Sequence, residues 1–215
     1  MGATLLIVRH AQSVANVKNI LAGRFDPTPL SEAGVDEARR LTPVLAEFQP
    51  QLILSSPLLR CRQTVAEAGV LDPVLDERLI EMDYGQWTGR KIKGLALTPS
   101  WKRIQQNAQS FVFPRGEGFV DAEERIRDLL NELQNSEHQR IALFTHGDIA
   151  RIMINQLLGR ELNAFQRINI ATGSHSKMTM NRATRNLDGE SVIHYINRRE
   201  HRPQTEGTAF KVGGE

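Results

Sequence analysis

The chain has 215 residues, 40% hydrophobic and 24% charged, with a net charge of +2. That length suits one domain with a large core, and so small a charge leaves no electrostatic footprint for nucleic acid. A lone cysteine, Cys61, rules out an internal disulfide and fits a reducing cytosol. The predicted elements begin at once. Thr4 to Val8 is an apolar, β-branched run of the kind buried on both faces of a sheet, and it ends directly in Arg9-His10. Val17 to Leu30, with Gly23, Pro27 and Pro29, reads as a loop, and Ser31 as the N-cap of a helix. Val35, Ala38, Leu41, Leu45 and Phe48 recur at helical spacing, with a kink or break expected at Pro43. Gln51 to Ser55 is a second short strand, and Pro57 opens a helix that stops near Gly69.

The stretch from Leu71 to Gly118 is irregular, and its part over about 86–118 is expected to lie over the sheet as a cap. Trp87 and Trp101 in it read as core or lid packing rather than as a platform for bases. Asp121 and Glu124 suggest a capping box before the stripe Ile126, Leu129, Leu130 and Leu133. Arg140 to Thr145 is a third strong strand, followed by His146-Gly147-Asp148 and a helix that stops at Gly159. Segments around Lys177 to Met180 and Val192 to Ile196 complete the sheet. The expected fold is α/β, three-layer α/β/α, with a mostly parallel central sheet. One domain spans 1–196, and 197–215 is a polar, flexible tail whose Arg198, Arg199 and Arg202 are offset by Glu200 and Glu206. No apolar run approaches the roughly 20 residues that span a bilayer, and Met1 to Val8 reads as a strand rather than a signal peptide, so a cytoplasmic location is expected.

Three strands thus end in reactive or charged side chains, and ligands of open α/β sheets collect at such carboxyl ends. Arg60 sits in the first turn of a helix, where free N–H groups attract anions. Two arginines and two histidines on one rim would suit a phosphoryl dianion, because the guanidinium fork grips two oxygens at once. Taken singly, each residue has a plainer reading. A histidine at a strand end can be a satisfied polar side chain, Arg60 a solvated helix residue, Glu81 a surface carboxylate and Cys61 a buried spectator.

Together and in order, the segments resemble the histidine phosphatase superfamily, in particular its phosphoglycerate-mutase-like group. Arg9-His10-Ala11-Gln12-Ser13 with Asn16 is similar to the arginine-histidine-glycine signature. Lys18-Asn19, Ala22-Gly23 and Leu30-Ser31-Glu32-Ala33-Gly34 resemble the substrate loop and first helix. Ser55 to Thr64 resembles the segment with the second phosphate arginine, Arg78 to Gly85 the segment with the acid/base carboxylate, and Thr145-His146-Gly147-Asp148 that with the second histidine. The resemblance implies a covalent phosphohistidine on His10, with Arg9, Arg60 and His146 holding the equatorial oxygens and donors added by Asn16 and Gly147. Glu81 would protonate the leaving oxygen, its pKa raised by the phosphate beside it. A hydrogen bond from the other ring nitrogen of His10, to a backbone carbonyl, would fix its tautomer. Gln12, Ser13, Ala22, Gly23 and Tyr84 are the candidate substrate contacts.

One departure stands out: Ala11 occupies the usual glycine position, tolerable if its φ is negative. No carboxylate cluster has metal-ligand spacing, so no metal or other cofactor is expected, and bisphosphoglycerate priming enters only for a mutase. The implied activity is metal-independent hydrolysis of small phosphate monoesters, with phosphoglycerate mutase as the alternative and a non-catalytic phospho-ligand binder as a third. A mutase must retain a bisphosphorylated intermediate, and the only cap cations are Arg90, Lys91, Lys93, Lys102, Arg103 and Arg115. The expected partner is a small phosphorylated metabolite, with a homodimer admissible and neither nucleic acid nor membrane.

Overall fold

The structure, a computed structural model, describes residues 2–180 and 191–200. In chain order the strands are β1 (Thr4–Arg9), β2 (Leu52–Ser55), β3 (Val74–Leu75), β4 (Arg140–Thr145), β5 (His175–Thr179) and β6 (Val192–Arg198). The helices are α1 (Val14–Val17), α2 (Glu32–Arg39), α3 (Thr42–Phe48), α4 (Leu59–Glu67), α5 (Ile92–Leu95), α6 (Pro99–Gln106), α7 (Phe119–Asn135) and α8 (Gly147–Leu157). The strands form one sheet in the order β3-β2-β4-β1-β5-β6. The first four are mutually parallel, and β5 and β6 add an antiparallel edge.

The period-two alternation of β1 sorts the core into two layers. Leu5 and Ile7 face α7 and α8, packing with Ile126, Leu130, Ile152 and Met153. Leu6 and Val8 face the other way, onto Leu41, Leu45 and Phe48 of the α2–α3 region and Val65 of α4. This is the expected three-layer α/β/α arrangement. As anticipated, Ser31 caps α2, its Oγ accepting from the Gly34 amide at 3.1 Å. Pro43 does break the helical run: α2 ends at Arg39, and Pro43 falls in the first turn of α3, where its missing N–H costs nothing.

Other expectations shift. α7 begins at Phe119, not after Asp121, and Asp121 reaches back from the third helical position to accept from the Gly118 amide at 2.7 Å. The reason is that Phe119 is itself buried and belongs to the apolar stripe. The polar tail does not start at 197: β6 runs through Asn197 to Arg198, and Arg199 pairs with Glu37 at 2.7 Å. Arg202, Glu206 and the remainder of that tail lie outside the described residues. Among the described residues, no helix is long and apolar enough to cross a membrane.

Residues between Gly85 and Gly118 form short turns and helices rather than strands. They dock on the loop after α1 through paired backbone bonds, Leu21 N–H to Arg90 O at 2.9 Å and Gly89 N–H to Leu21 O at 2.8 Å. Trp87, Leu95, Ile104, Phe111 and Phe113 join the same core as Leu5 of β1.

Candidate active site

Register alone brings the reactive residues together. Arg9 pairs with Thr145, and Ser55 with Phe144. The residues just beyond those strand ends, His10, Ser56 and His146, therefore share one rim, the carboxyl edge expected to hold ligands. Backbone bonds extend the ladder past it: His10 N–H donates to Thr145 O and Ser56 N–H to Phe144 O, both at 2.9 Å.

A cavity of about 240 Å³ opens there. His10 is buried in it, its Nδ1 hydrogen-bonded to the Ala11 carbonyl at 2.8 Å. That contact places the proton on Nδ1 and leaves Nε2 with a free lone pair. Burial, then the charges of Arg60 and Arg9, hold the ring pKa well below its ordinary value, so His10 is neutral. Ala11 is not among the described non-glycine residues with positive φ. Its amide donates to Thr64 Oγ1 at 3.0 Å and its methyl packs against Leu30 and Ala38. The departure from glycine is therefore accommodated without backbone strain.

Arg9 donates from Nη1 to Ile170 O at 2.6 Å, and burial lowers its pKa. Arg60 donates from Nε to His146 Nδ1 at 3.2 Å and from Nη2 to Gly23 O at 2.7 Å. Buried Arg9 Nε and Arg60 Nη1 have no partner. Two buried guanidinium donors left unsatisfied are costly, and an anion between them would remove that cost. Asn16 accepts from the Ser13 amide and hydroxyl through Oδ1, at 3.0 and 2.8 Å, which leaves its Nδ2 hydrogens for another acceptor. Gly147 opens α8, with one of the helix's unpaired N-terminal amides. A Cβ on it would stand 3.3 Å from Arg9 Cζ, so a larger residue would push that guanidinium aside.

Glu81 is buried in the same wall. Its pKa is pushed up to about 7, first by burial and next by the negative charge of Asp148, against the pull of Arg60, the Met82 amide and Arg9. The expected cause, a bound phosphate, is not needed. Asp148 itself accepts from Tyr84 Oη at 2.7 Å and from Arg151 Nη1 at 3.0 Å.

Of the residues singled out in the sequence, Arg9, His10, Ser13, Asn16, Ala22, Gly23, Arg60, Glu81, Tyr84 and Gly147 all line this cavity. Gln12 and His146 do not. The Gln12 side chain turns to α2, its Oε1 accepting from Ser31 Oγ at 2.8 Å. His146 is fully buried behind Arg60, with Nδ1 accepting from Arg60 and Nε2 placed 2.7 Å from Ser56 Oγ. Burial and Arg60 hold its pKa well below the ordinary value. Its ring meets that of His10 edge-on, with centroids 5.2 Å apart, and braces the Arg60 guanidinium. Cys61 is buried beside it, its thiol pushed up to about 12 by burial, and is inert. Sequence reasoning gives no role to Ser56, Asp148 or Arg151. The last has a signal: it lies three residues after Asp148 and four after Gly147, on one side of α8. None of the six cap cations lines the cavity. Among the described residues, no group of three or more histidine, cysteine or acidic side chains could hold a metal ion.

A buried neutral imidazole between two arginines with idle donors, facing a carboxyl of raised pKa at the rim of a parallel sheet, defines a phosphoryl-transfer type of site. Comparison with known proteins gives the class its name: residues 5–191 match the family model of the histidine phosphatase superfamily (branch 1), and the chain belongs to that superfamily. It is therefore an enzyme of a group that holds both phosphatases and mutases. Phosphoserine phosphatase 1 of Hydrogenobacter thermophilus is 30% identical over 182 residues, which cover 82% of this chain and 86% of the relative. A 2,3-bisphosphoglycerate-dependent phosphoglycerate mutase of Methylorubrum populi is 31% identical over 193 residues, 80% of this chain and 87% of the relative. The solved structure of a mycobacterial glucosyl-3-phosphoglycerate phosphatase superposes with a TM-score of 0.78 at 24% identity, covering 92% of this chain and 99% of that one, a likeness of fold.

Proposed function

We propose that the chain is a phosphatase that hydrolyses small phosphate monoesters through a phosphohistidine on His10, with no metal ion. The observation that carries this reading is the state of His10: neutral, tied at Nδ1 to Ala11 O, and flanked by the idle donors Arg9 Nε and Arg60 Nη1. In the first step Nε2 attacks phosphorus and the bond to the leaving oxygen breaks as Glu81 gives that oxygen its proton. In the second, water attacks phosphorus, Glu81 takes the water proton, and the P–N bond breaks with its electron pair returning to Nε2. The arginines stay on the equatorial oxygens throughout and supply the positive charge.

Hydrolysis is preferred to the mutase activity of the Methylorubrum relative because, among the described residues, the cavity's only unneutralised cations are the two beside His10. Arg151, the third, is already paired with Asp148. A bisphosphorylated intermediate would leave its second phosphate poorly matched. The name of the Hydrogenobacter relative makes phosphoserine the first substrate to try. The test is phosphate release from phosphoserine, 3-phosphoglycerate and p-nitrophenyl phosphate in the presence of a chelator, alongside acid-quench trapping of labelled protein. Turnover that survives the chelator and disappears in His10→Ala, with label on the unmodified protein alone, is expected. Undiminished activity in His10→Ala sinks the mechanism, and isomerisation of phosphoglycerate faster than its hydrolysis restores the mutase.

A further inference from the structure

A second cavity, of about 230 Å³, lies beside the first and shares with it the walls Leu21, Tyr84, Trp101, Asp148 and Arg151. The phosphatase reading does not use it. Its remaining lining is largely aromatic and apolar: Trp87, Ile104, Phe113 and Phe119, with Gln105 and Gln166 exposed at the rim. Both tryptophans of the chain are in it.

The rings already hold one another in place. Trp87 and Trp101 lie nearly parallel, 13° apart with centroids at 6.3 Å, and Phe113 meets Trp87 edge-on at 5.3 Å. Phe113 and Phe119 are 5.4 Å apart. These separations fall in the range that aromatic pairs prefer, so the walls are preformed and an incoming ring need not order them. An apolar cavity of about 150 Å³ takes a benzene-sized guest, and this one has room for a larger planar group. Where the cavities join, Tyr84 Oη and Arg151 Nη1 are both committed to Asp148, and Arg151 Nε is buried without a partner. That donor suits a single acceptor on the atoms linking ring to phosphate.

We propose that this aromatic cavity binds the leaving alcohol of the substrate, and that the preferred esters carry a planar aromatic ring a few bonds from the phosphate. The proposal rests on the phosphatase reading for its chemistry, since the ring leaves with the alcohol when the phosphoryl group passes to His10.

The test compares 2-(1-naphthyl)ethyl and 3-(1-naphthyl)propyl phosphate with ethyl phosphate. All three release alkoxides of similar basicity, so a difference in kcat/KM reports binding of the ring. A preference of at least about tenfold is expected for one of the naphthyl esters, the effect of taking roughly 60 Å² of ring surface out of water. Ile104→Ala, which strips apolar wall, and Gln105→Trp, which narrows the rim, should each pull that ratio toward one. Reading a ratio cancels any general loss of folded protein. A ratio near one in the unmodified enzyme, or a ratio untouched by both variants, overturns the proposal. If no ester is turned over, the phosphatase reading fails separately. Calorimetric titration of the same esters into His10→Ala protein then decides the subsite: tighter naphthyl binding supports it, and equal affinities end it.

Discussion

Glu81 is expected to set the alkaline limb of the pH profile, and Asp148 to set where that limb lies. In the first step only protonated Glu81 can hand a proton to the leaving oxygen. With its pKa at about 7, roughly one molecule in eleven is competent at pH 8 and about ten in eleven at pH 6. Hydrolysis of an alkyl phosphate should therefore fall about tenfold per pH unit above that point. The perturbation is Asp148→Asn, which keeps an oxygen for the Tyr84 hydroxyl but removes the charge that ranks second, after burial, among the causes of the upward shift. The limb must then move to lower pH, and each unit of movement costs about a further tenfold at any pH above both limbs. The assay is kcat/KM against pH for ethyl phosphate, with p-nitrophenyl phosphate as internal control. That ester expels a stabilised phenolate and needs little proton donation, so its profile should stay flat where the alkyl profile bends. Identical limbs for the two esters, or a limb that Asp148→Asn leaves in place, would refute Glu81 as the acid tuned by Asp148.

Arg60→Lys should lower kcat roughly 10²–10³-fold in steady-state assays, because one ammonium cannot serve His146 Nδ1, Gly23 O and a phosphoryl oxygen together. Ser56→Ala removes the hydroxyl beside buried His146 Nε2 and should cost about 1–3 kcal/mol; thermal unfolding should show it as a drop of about 2–4 °C per kcal/mol. Gly34→Ala would drive a methyl into the Gln12 carbonyl, in the loop that carries His10. About 1–3 kcal/mol of destabilisation is expected from such overpacking, with a fall in kcat/KM, and a Tm unchanged from the parent would count against the tight packing of α2 on that loop.

The parts of this site that are legible in the sequence are those set by short-range pattern. Buried strands announce themselves as apolar runs, and the residues immediately after each run land on the rim whatever the rest of the fold does. That logic places Arg9, His10 and Gly147, and position in the first turn of α4 places Arg60. What is not legible depends on contacts between distant segments. No linear pattern tells that Arg60, 86 residues earlier, and Ser56, 90 residues earlier, meet the ring nitrogens of His146. The sequence pattern puts Gln12 at the substrate, but Ser31 holds the side-chain carbonyl. The carboxylate that tunes Glu81 cannot be chosen from a linear pattern, because Asp148 and Glu81 are 67 residues apart and meet only in the fold, where Tyr84 donates to Asp148. The aromatic cavity is hidden for the same reason. Its rings come from residues 87, 101, 113 and 119, on separate short elements and turns that no single sequence period links.

The same two arginines favour the neutral form of one and the charged form of the other of the two groups that the proposed mechanism uses. At His10, burial and both guanidiniums favour the neutral ring, so every one of these contributions removes the proton from Nε2 before substrate arrives. At Glu81, the guanidiniums favour the charged form, but burial and Asp148 outweigh them and keep the carboxyl largely protonated just below neutral pH. Below neutral pH the free site thus already has the protonation states that the first step of the proposed mechanism needs: a nucleophile without a proton and an acid with one. A dianion entering between Arg9 Nε and Arg60 Nη1 would weaken their influence on both groups, making His10 more basic and Glu81 still less acidic. The second change helps the carboxyl retain its proton until the leaving oxygen needs it. In the proposed mechanism the first would strengthen the nucleophile at the moment phosphorus comes within reach.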